Sequence, residues 1–172
     1  MLNESKKIGV KIFVNLNNIE KTIKKPLNPN IVNEIVDKEN RKKVVELFDR
    51  YGKIFAWAAM IKVREQLRFE DTVIFVVEKS QDIFILTYID YIFDRTEEIK
   101  KAVGWKEGKE IRGYQDVVFF KDKIEATITI SQIEEIKKIT GIIKKSNGQY
   151  THAVLSEKNK IEELMKIINR YH

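Results

Sequence analysis

NRKKVVELFDRYGKIFAWAAMIKVREQLRFEDTVIFVVEK, residues 40–79, is the most apolar and most continuously patterned stretch of the chain, and its reading decides the fold. Val44, Leu47, Phe48, Tyr51, Phe55, Ala58, Ile61 and Val63 recur at mostly three- and four-residue steps, which predicts one long helix from Asn40 to Arg68. Within it, Ile54 to Ile61 is apolar on every side, so neighbours must cover it all round. Gly52 falls in its interior, a place for close approach of another backbone. From Thr72 to Lys79 both alternating sets, Val73/Phe75/Val77 and Ile74/Val76, are apolar, and a strand of that kind is central in a sheet.

Downstream, Ser80-Gln81-Asp82 reads as a hairpin loop and Ile83–Ile92 as the return strand. Asp94-Arg95-Thr96-Glu97 has capping-box spacing and opens a short helix that ends at Gly104. A second hairpin is predicted from Asp116–Phe120 and Ile124–Ile130, turning at Lys121-Asp122-Lys123, with Ile124, Ala126, Ile128 and Ile130 inward. Ser131-Gln132-Ile133-Glu134 is read as another capping box, opening a helix that stops at Ser146-Asn147-Gly148. Gln149–Leu155 is a short strand, placed by a parallel crossover from Ile124, and a terminal helix carries Ile161, Leu164, Met165 and Ile168. Upstream, Ile8–Val14 alternates as a half-buried edge strand, residues 17–25 form a short helix, and Asn28-Pro29 starts another. The sum is an α+β domain, a mixed, mainly antiparallel sheet of about six strands packed on the long helix.

At 172 residues the chain can bury one sizeable core. It has no cysteine, which removes disulfides, thiolate metal sites and thiol catalysis. No apolar run is long enough to span a membrane and the first residues do not form a secretion signal, so a cytoplasmic protein is expected. Few Gly and Pro with abundant Ile, Lys and Glu resemble thermophile composition, a bias that an AT-rich genome also produces. The net charge is +6, with ten basic against five acidic residues in 1–43, six against nine in 44–94, and eight against five in 132–172. A polyanionic partner would therefore meet the ends of the chain or a local cluster.

The longest stretch without a period, Trp105 to Gln115, supplies such a cluster. Trp105 and Tyr114 offer flat faces for bases, while Lys106, Lys109 and Arg112 can neutralise phosphates, the combination that single-stranded nucleic acid needs. Glu107 and Glu110 offset much of this charge, and Trp105, just past a helix end, could instead fold onto the core. Lys144, Lys145, Tyr150 and His152 extend the same kind of surface. No P-loop, dinucleotide fingerprint, zinc-protease helix, EF-hand or nucleophile elbow is present, so no cofactor, metal or catalytic residue is assigned. The expected function is nucleic-acid binding without catalysis, more on single strands than duplex. The alternatives are a homo-oligomeric assembly module sharing its apolar helix faces, and a metal-dependent nuclease built from Asp90, Asp94, Asp116 and the Glu107/Lys109 pair.

Overall fold

The apolar run that dominates the sequence is divided between two elements. In the computed structural model, which describes residues 6–59, 65–93, 98–105 and 116–169, helix α1 spans Lys38–Tyr51 and strand β2 spans Phe55–Ala59. The Asp37 side chain caps α1, accepting from the Asn40 amide at 2.9 Å. Gly52 ends it: its amide still donates to Phe48, but at φ 73° and ψ −66° it centres a γ-turn in which the Lys53 amide donates to Tyr51 at 2.8 Å. The expected helix to Arg68 is thus corrected, because an all-round apolar run satisfies a buried strand as well as a buried helix. Nor does a backbone crowd Gly52, since a Cβ there would meet nothing within 4 Å.

The remaining strands are β1 (Ile8–Phe13), β3 (Thr72–Val77), β4 (Asp82–Phe93), β5 (Asp116–Thr127) and β6 (His152–Leu155), and the sheet order is β2-β5-β4-β3-β1-β6. The fold is α+β with a mixed, mostly antiparallel six-stranded sheet: β1 runs parallel to β3, while β1–β6, β2–β5 and β3–β4 are antiparallel. The central position of β3 agrees with its two apolar faces, and Val73 to Val77 are all buried. Two expectations fail here. β1 lies between β3 and β6 rather than at an edge, and β6 joins β1 antiparallel, so no parallel crossover leads to it. Likewise β5 is one strand rather than a hairpin. Asp122 adopts φ 54° within it, and beyond that point the inward alternation is lost, leaving Ile124 58% exposed.

The chain divides into two compact units, each built around its own helices. The first comprises Met1–Leu16, Glu70–Thr87 and Lys123–His172. Helices α3 (Ile130–Thr140) and α4 (Lys158–Asn169) cover one face of its strands, burying Ile8, Val10, Ile12, Ile74, Val76 and Ile83 against Ile133, Ile136, Leu164 and Ile168. The capping box lies two residues earlier than expected: Thr129 Oγ1 accepts from the Gln132 amide and Gln132 Oε1 accepts from the Thr129 amide. Gln132 also donates to the Ile167 carbonyl at 2.8 Å, tying the two helices together. Gly141, at φ 72°, ends α3 in the left-handed conformation, ahead of the expected stop at Ser146.

The second unit comprises Asn17–Phe69 and Tyr88–Asp122. A π-helical turn (Glu20–Lys24) buries Ile19, Thr22 and Ile23, and a 3₁₀ turn (Pro29–Glu34) starts where Asn28 Oδ1 accepts from the Asn30 amide. Helix α1 is fastened to β4 by Asn40 Nδ2 donating to Phe93 O at 3.0 Å and by Lys43 Nζ, which donates to Tyr91 O and pairs with Asp90 at 3.1 Å. A short helix, α2 (Glu98–Val103), packs on the 3₁₀ turn and ends at Gly104. The capping box expected at Asp94–Glu97 lies outside the described residues.

Candidate nucleic-acid interface

The basic turn after α3 is held by its own backbone. Thr151 donates to Ile143, Lys145 donates to Gln149 at 2.6 Å, Gly148 donates to Lys145, and Lys144 pairs with Tyr150 in an isolated antiparallel bridge. Lys144, Lys145 and His152 are exposed. His152 faces Lys11 across the β1–β6 ladder, and Lys11 Nζ donates to the Tyr150 carbonyl at 2.6 Å. The expected group of Lys144, Lys145, Tyr150 and His152 is therefore gathered locally, with Lys11 added to it.

Tyr150 has a different part from the one expected. Its ring is only 5% exposed, so it does not offer a free stacking face. Its hydroxyl accepts from Lys137 Nζ at 3.0 Å and donates to Glu78 Oε2 in a short hydrogen bond, while Lys137 also pairs with Glu78 at 2.8 Å and Glu134 at 3.0 Å. Two ammonium groups lie near the ring, Lys137 at 4.7 Å and Lys144 at 5.6 Å from its centroid. Tyr150 is thus a floor under Lys144. Burial pushes the Glu78 carboxyl up, but the hydrogen bonds from Lys137 and Tyr150 outweigh it and hold the acid below its ordinary 4.5. Burial and the bond to Glu78 both raise the Tyr150 phenol, keeping it a donor. For Lys137 the loss of solvent is overcome by hydrogen bonds to Glu78, Tyr150 and Glu134, which raise it above an ordinary lysine. Sequence reading missed Lys11, Glu78 and Lys137 here, since nothing local marks residues that meet Tyr150 across the fold.

The other expected cluster is not a surface at Trp105. That ring is 5% exposed, packs edge-to-face on Trp57 with centroids 5.8 Å apart, and donates from Nε1 to Thr22 Oγ1 at 3.1 Å, the same hydroxyl donating to Ala56 O. Trp105 belongs to the core of the second unit because the chain leaving α2 turns back: Gly104 donates to Lys101 and Trp105 donates to Lys100, a Schellman arrangement that brings the residue after the glycine onto the helix. Lys106, Lys109, Arg112 and Tyr114 lie outside the described residues. Among the described residues no group of three His, Asp or Glu is gathered to hold a metal ion, and Asp116 is wholly buried. The apolar segment offered for assembly is largely internal, Ile54 to Ala58 being buried. Among the described residues no helix is long and apolar enough to cross a membrane.

The chain matches no protein family and no curated protein. Its fold is similar to that of the N-terminal domain of Thermococcus gammatolerans McrB, whose structure was determined bound to m5C DNA, with a TM-score of 0.58 and 13% identity over 95% of this chain and 98% of that one. At that identity, what the two chains share is the fold.

Proposed function

We propose that the chain is a DNA-binding module that holds its target through phosphate contacts, with no catalytic step. The observation that carries this reading is the likeness, over nearly the whole of both chains, to a domain whose partner is m5C DNA. The exposed lysines of the turn after α3 supply the chemistry: Lys144 and Lys145 project from a short, hydrogen-bonded hairpin, and His152 and Lys11 stand opposite each other beside it. A hydrogen-bonded turn carrying ammonium groups suits contacts that position a protein on a phosphate chain without reading sequence. The single-strand preference expected from the sequence leaned on Trp105 as a stacking face. With that ring in the core, the proposed target is DNA without strand preference, and 5-methylcytosine is the modification to test first.

The test is an anisotropy titration of labelled single-stranded DNA, plain duplex and 5-methylcytosine duplex at two salt concentrations, with a Lys144→Ala/Lys145→Ala variant beside wild type. Affinity should fall with salt at a logarithmic slope of about −0.9 per phosphate contact on duplex, and the double variant should flatten that slope by about one to two. No binding at low salt would refute the DNA reading. Binding whose slope ignores the double variant would move the contact away from this turn.

A further inference from the structure

The second unit carries an aromatic and basic cluster that sequence spacing does not reveal. Lys121 Nζ, from β5, lies 5.1 Å from the Tyr51 ring centroid at the end of α1 and 5.8 Å from that of Phe69. Phe69 is 55% exposed, Tyr51 is half-buried, and the Lys121 side chain retains 20% exposure. The three are presented alike. Each stands immediately before a residue with positive φ: Gly52 at 73°, Glu70 at 72° and Asp122 at 54°. Two of those residues are not glycine, and a left-handed backbone at a residue with a Cβ is disfavoured, so the chain sustains strain where these side chains are set. Arg50, Lys53 and Arg68, neighbours in sequence, are exposed, and the acids Asp49, Glu70 and Asp122 adjoin the same residues, with Asp122 at 4.0 Å from Lys121.

We propose that Phe69, Tyr51 and Lys121 form a nucleotide-binding site separate from the α3 turn, taking one unstacked nucleobase on the open Phe69 ring and its phosphate on the Lys121 ammonium. The proposal rests on the DNA-binding reading and adds to it a place for a base that is out of the helical stack. The chemistry selects that occupant. A base inside a duplex has both faces covered by its neighbours, whereas a base at a strand end, in a bulge or in a single strand has a face to give. A bare hydrophobic patch would not discriminate in this way, but a ring with an ammonium beside it, held in place by a second ring, offers both parts that a nucleotide presents. Tyr51 fixes Lys121 from beneath, leaving Phe69 as the contact face.

The test uses the full chain with a fluorescein-labelled single-stranded oligonucleotide, a fully paired duplex and a duplex with one bulged base. Phe69→Ala, at an exposed position, should keep the fold and weaken single-strand and bulge binding about tenfold, near the low end of what one stacked base contributes, with the paired duplex little changed. Phe69→Trp should restore binding, and its added indole should be quenched by the single strand. The proposal is overturned if wild type binds while Phe69→Ala binds the bulged and single-stranded probes equally well, or if the added indole stays unquenched at saturation. Failure of wild type to bind any probe at low salt overturns the DNA reading itself, a result distinct from either.

Discussion

Tyr150→Phe deletes one oxygen and keeps the ring, which separates the two parts this residue plays. The oxygen accepts from Lys137 Nζ at 3.0 Å and donates to Glu78 Oε2, both bonds to charged groups. Such bonds contribute about 1.5 to 3 kcal/mol each, but Lys137 keeps Glu78 at 2.8 Å and Glu134 at 3.0 Å, so neither charge is left alone. Side-chain exposures of 19% for Lys137 and 29% for Glu78 allow water to replace part of what is lost. The combined cost is therefore about 1 to 2 kcal/mol, which for a chain of this size lowers Tm by roughly 2 to 8 °C. Tyr150→Leu removes the ring as well, withdrawing the floor beneath Lys144, and should cost about 2 to 4 kcal/mol. Thermal and urea unfolding of the full chain at pH 7 measures both, and DNA titration of the same proteins completes the separation. Tyr150→Phe should leave the salt slope of binding unchanged, and Tyr150→Leu should flatten it. A Phe variant as stable as wild type to within about 0.3 kcal/mol would refute the bonding described, and equal slopes for all three proteins would refute the support given to Lys144.

Gly52→Ala places a Cβ in open space but forces φ 73° and ψ −66° on a residue that avoids them, and should cost about 1 to 3 kcal/mol in urea unfolding without any steric clash. A neutral Ala would show that α1 can end in another way. Trp105→Phe removes the Nε1 bond to Thr22 and part of the contact with Trp57, so it should lower stability by about 1 to 2 kcal/mol while leaving the salt slope of DNA binding intact; the reverse pattern would return Trp105 to the interface. Glu78 is held below its ordinary 4.5 in the folded chain, so its contribution is fully present above that pH and disappears as pH falls through the folded value. Urea unfolding from pH 6 to 3 should show Glu78→Gln losing less stability over the acid limb than wild type, and parallel curves would contradict the assignment.

Much of the fold is legible where a single residue has one physical use. The doubly apolar run at Val73 to Val77 is short and mostly β-branched, which marks it as a covered strand where period alone would not, and it is central. Asn28 before Pro29 fixes a helical start, and Asp37 caps α1 where the pattern breaks. Legibility fails where period is lost. Between Ile54 and Ile61 every position is apolar, so helical and strand periods fit equally, and the deciding mark is Gly52, whose φ of 73° ends α1. In β5 the sequence Lys-Asp-Lys suggests a turn, but the strand runs through it from Asp116 to Thr127, with Asp122 at φ 54°. The shifted capping box at Thr129 shows a further ambiguity: overlapping Ser and Thr offer two frames, and the one chosen lets Gln132 serve both the cap and the Ile167 carbonyl.

The candidate interface is read less well because charge and aromatic character do not state which way a side chain points. Lys144, Lys145 and His152 are exposed as their charge suggests, yet Tyr150 beside them hydrogen-bonds side chains that lie 13, 72 and 139 residues away in sequence. Trp105 does carry a local signal. A glycine in the left-handed conformation after a short helix is followed, in the Schellman arrangement, by a residue whose amide returns to the helix and whose apolar side chain packs on it. Gly104-Trp105 fits that pattern, with its amide bonded to Lys100 and its indole against Trp57. The exposed aromatic of the second unit lacks that mark: Phe69 lies three residues past helical Gln66, between Arg68 and Glu70, with no glycine just before it. Between these two aromatics, the backbone just before each ring separates a core residue from a surface one, and on that ground Phe69, rather than Trp105, is where a nucleobase should be sought.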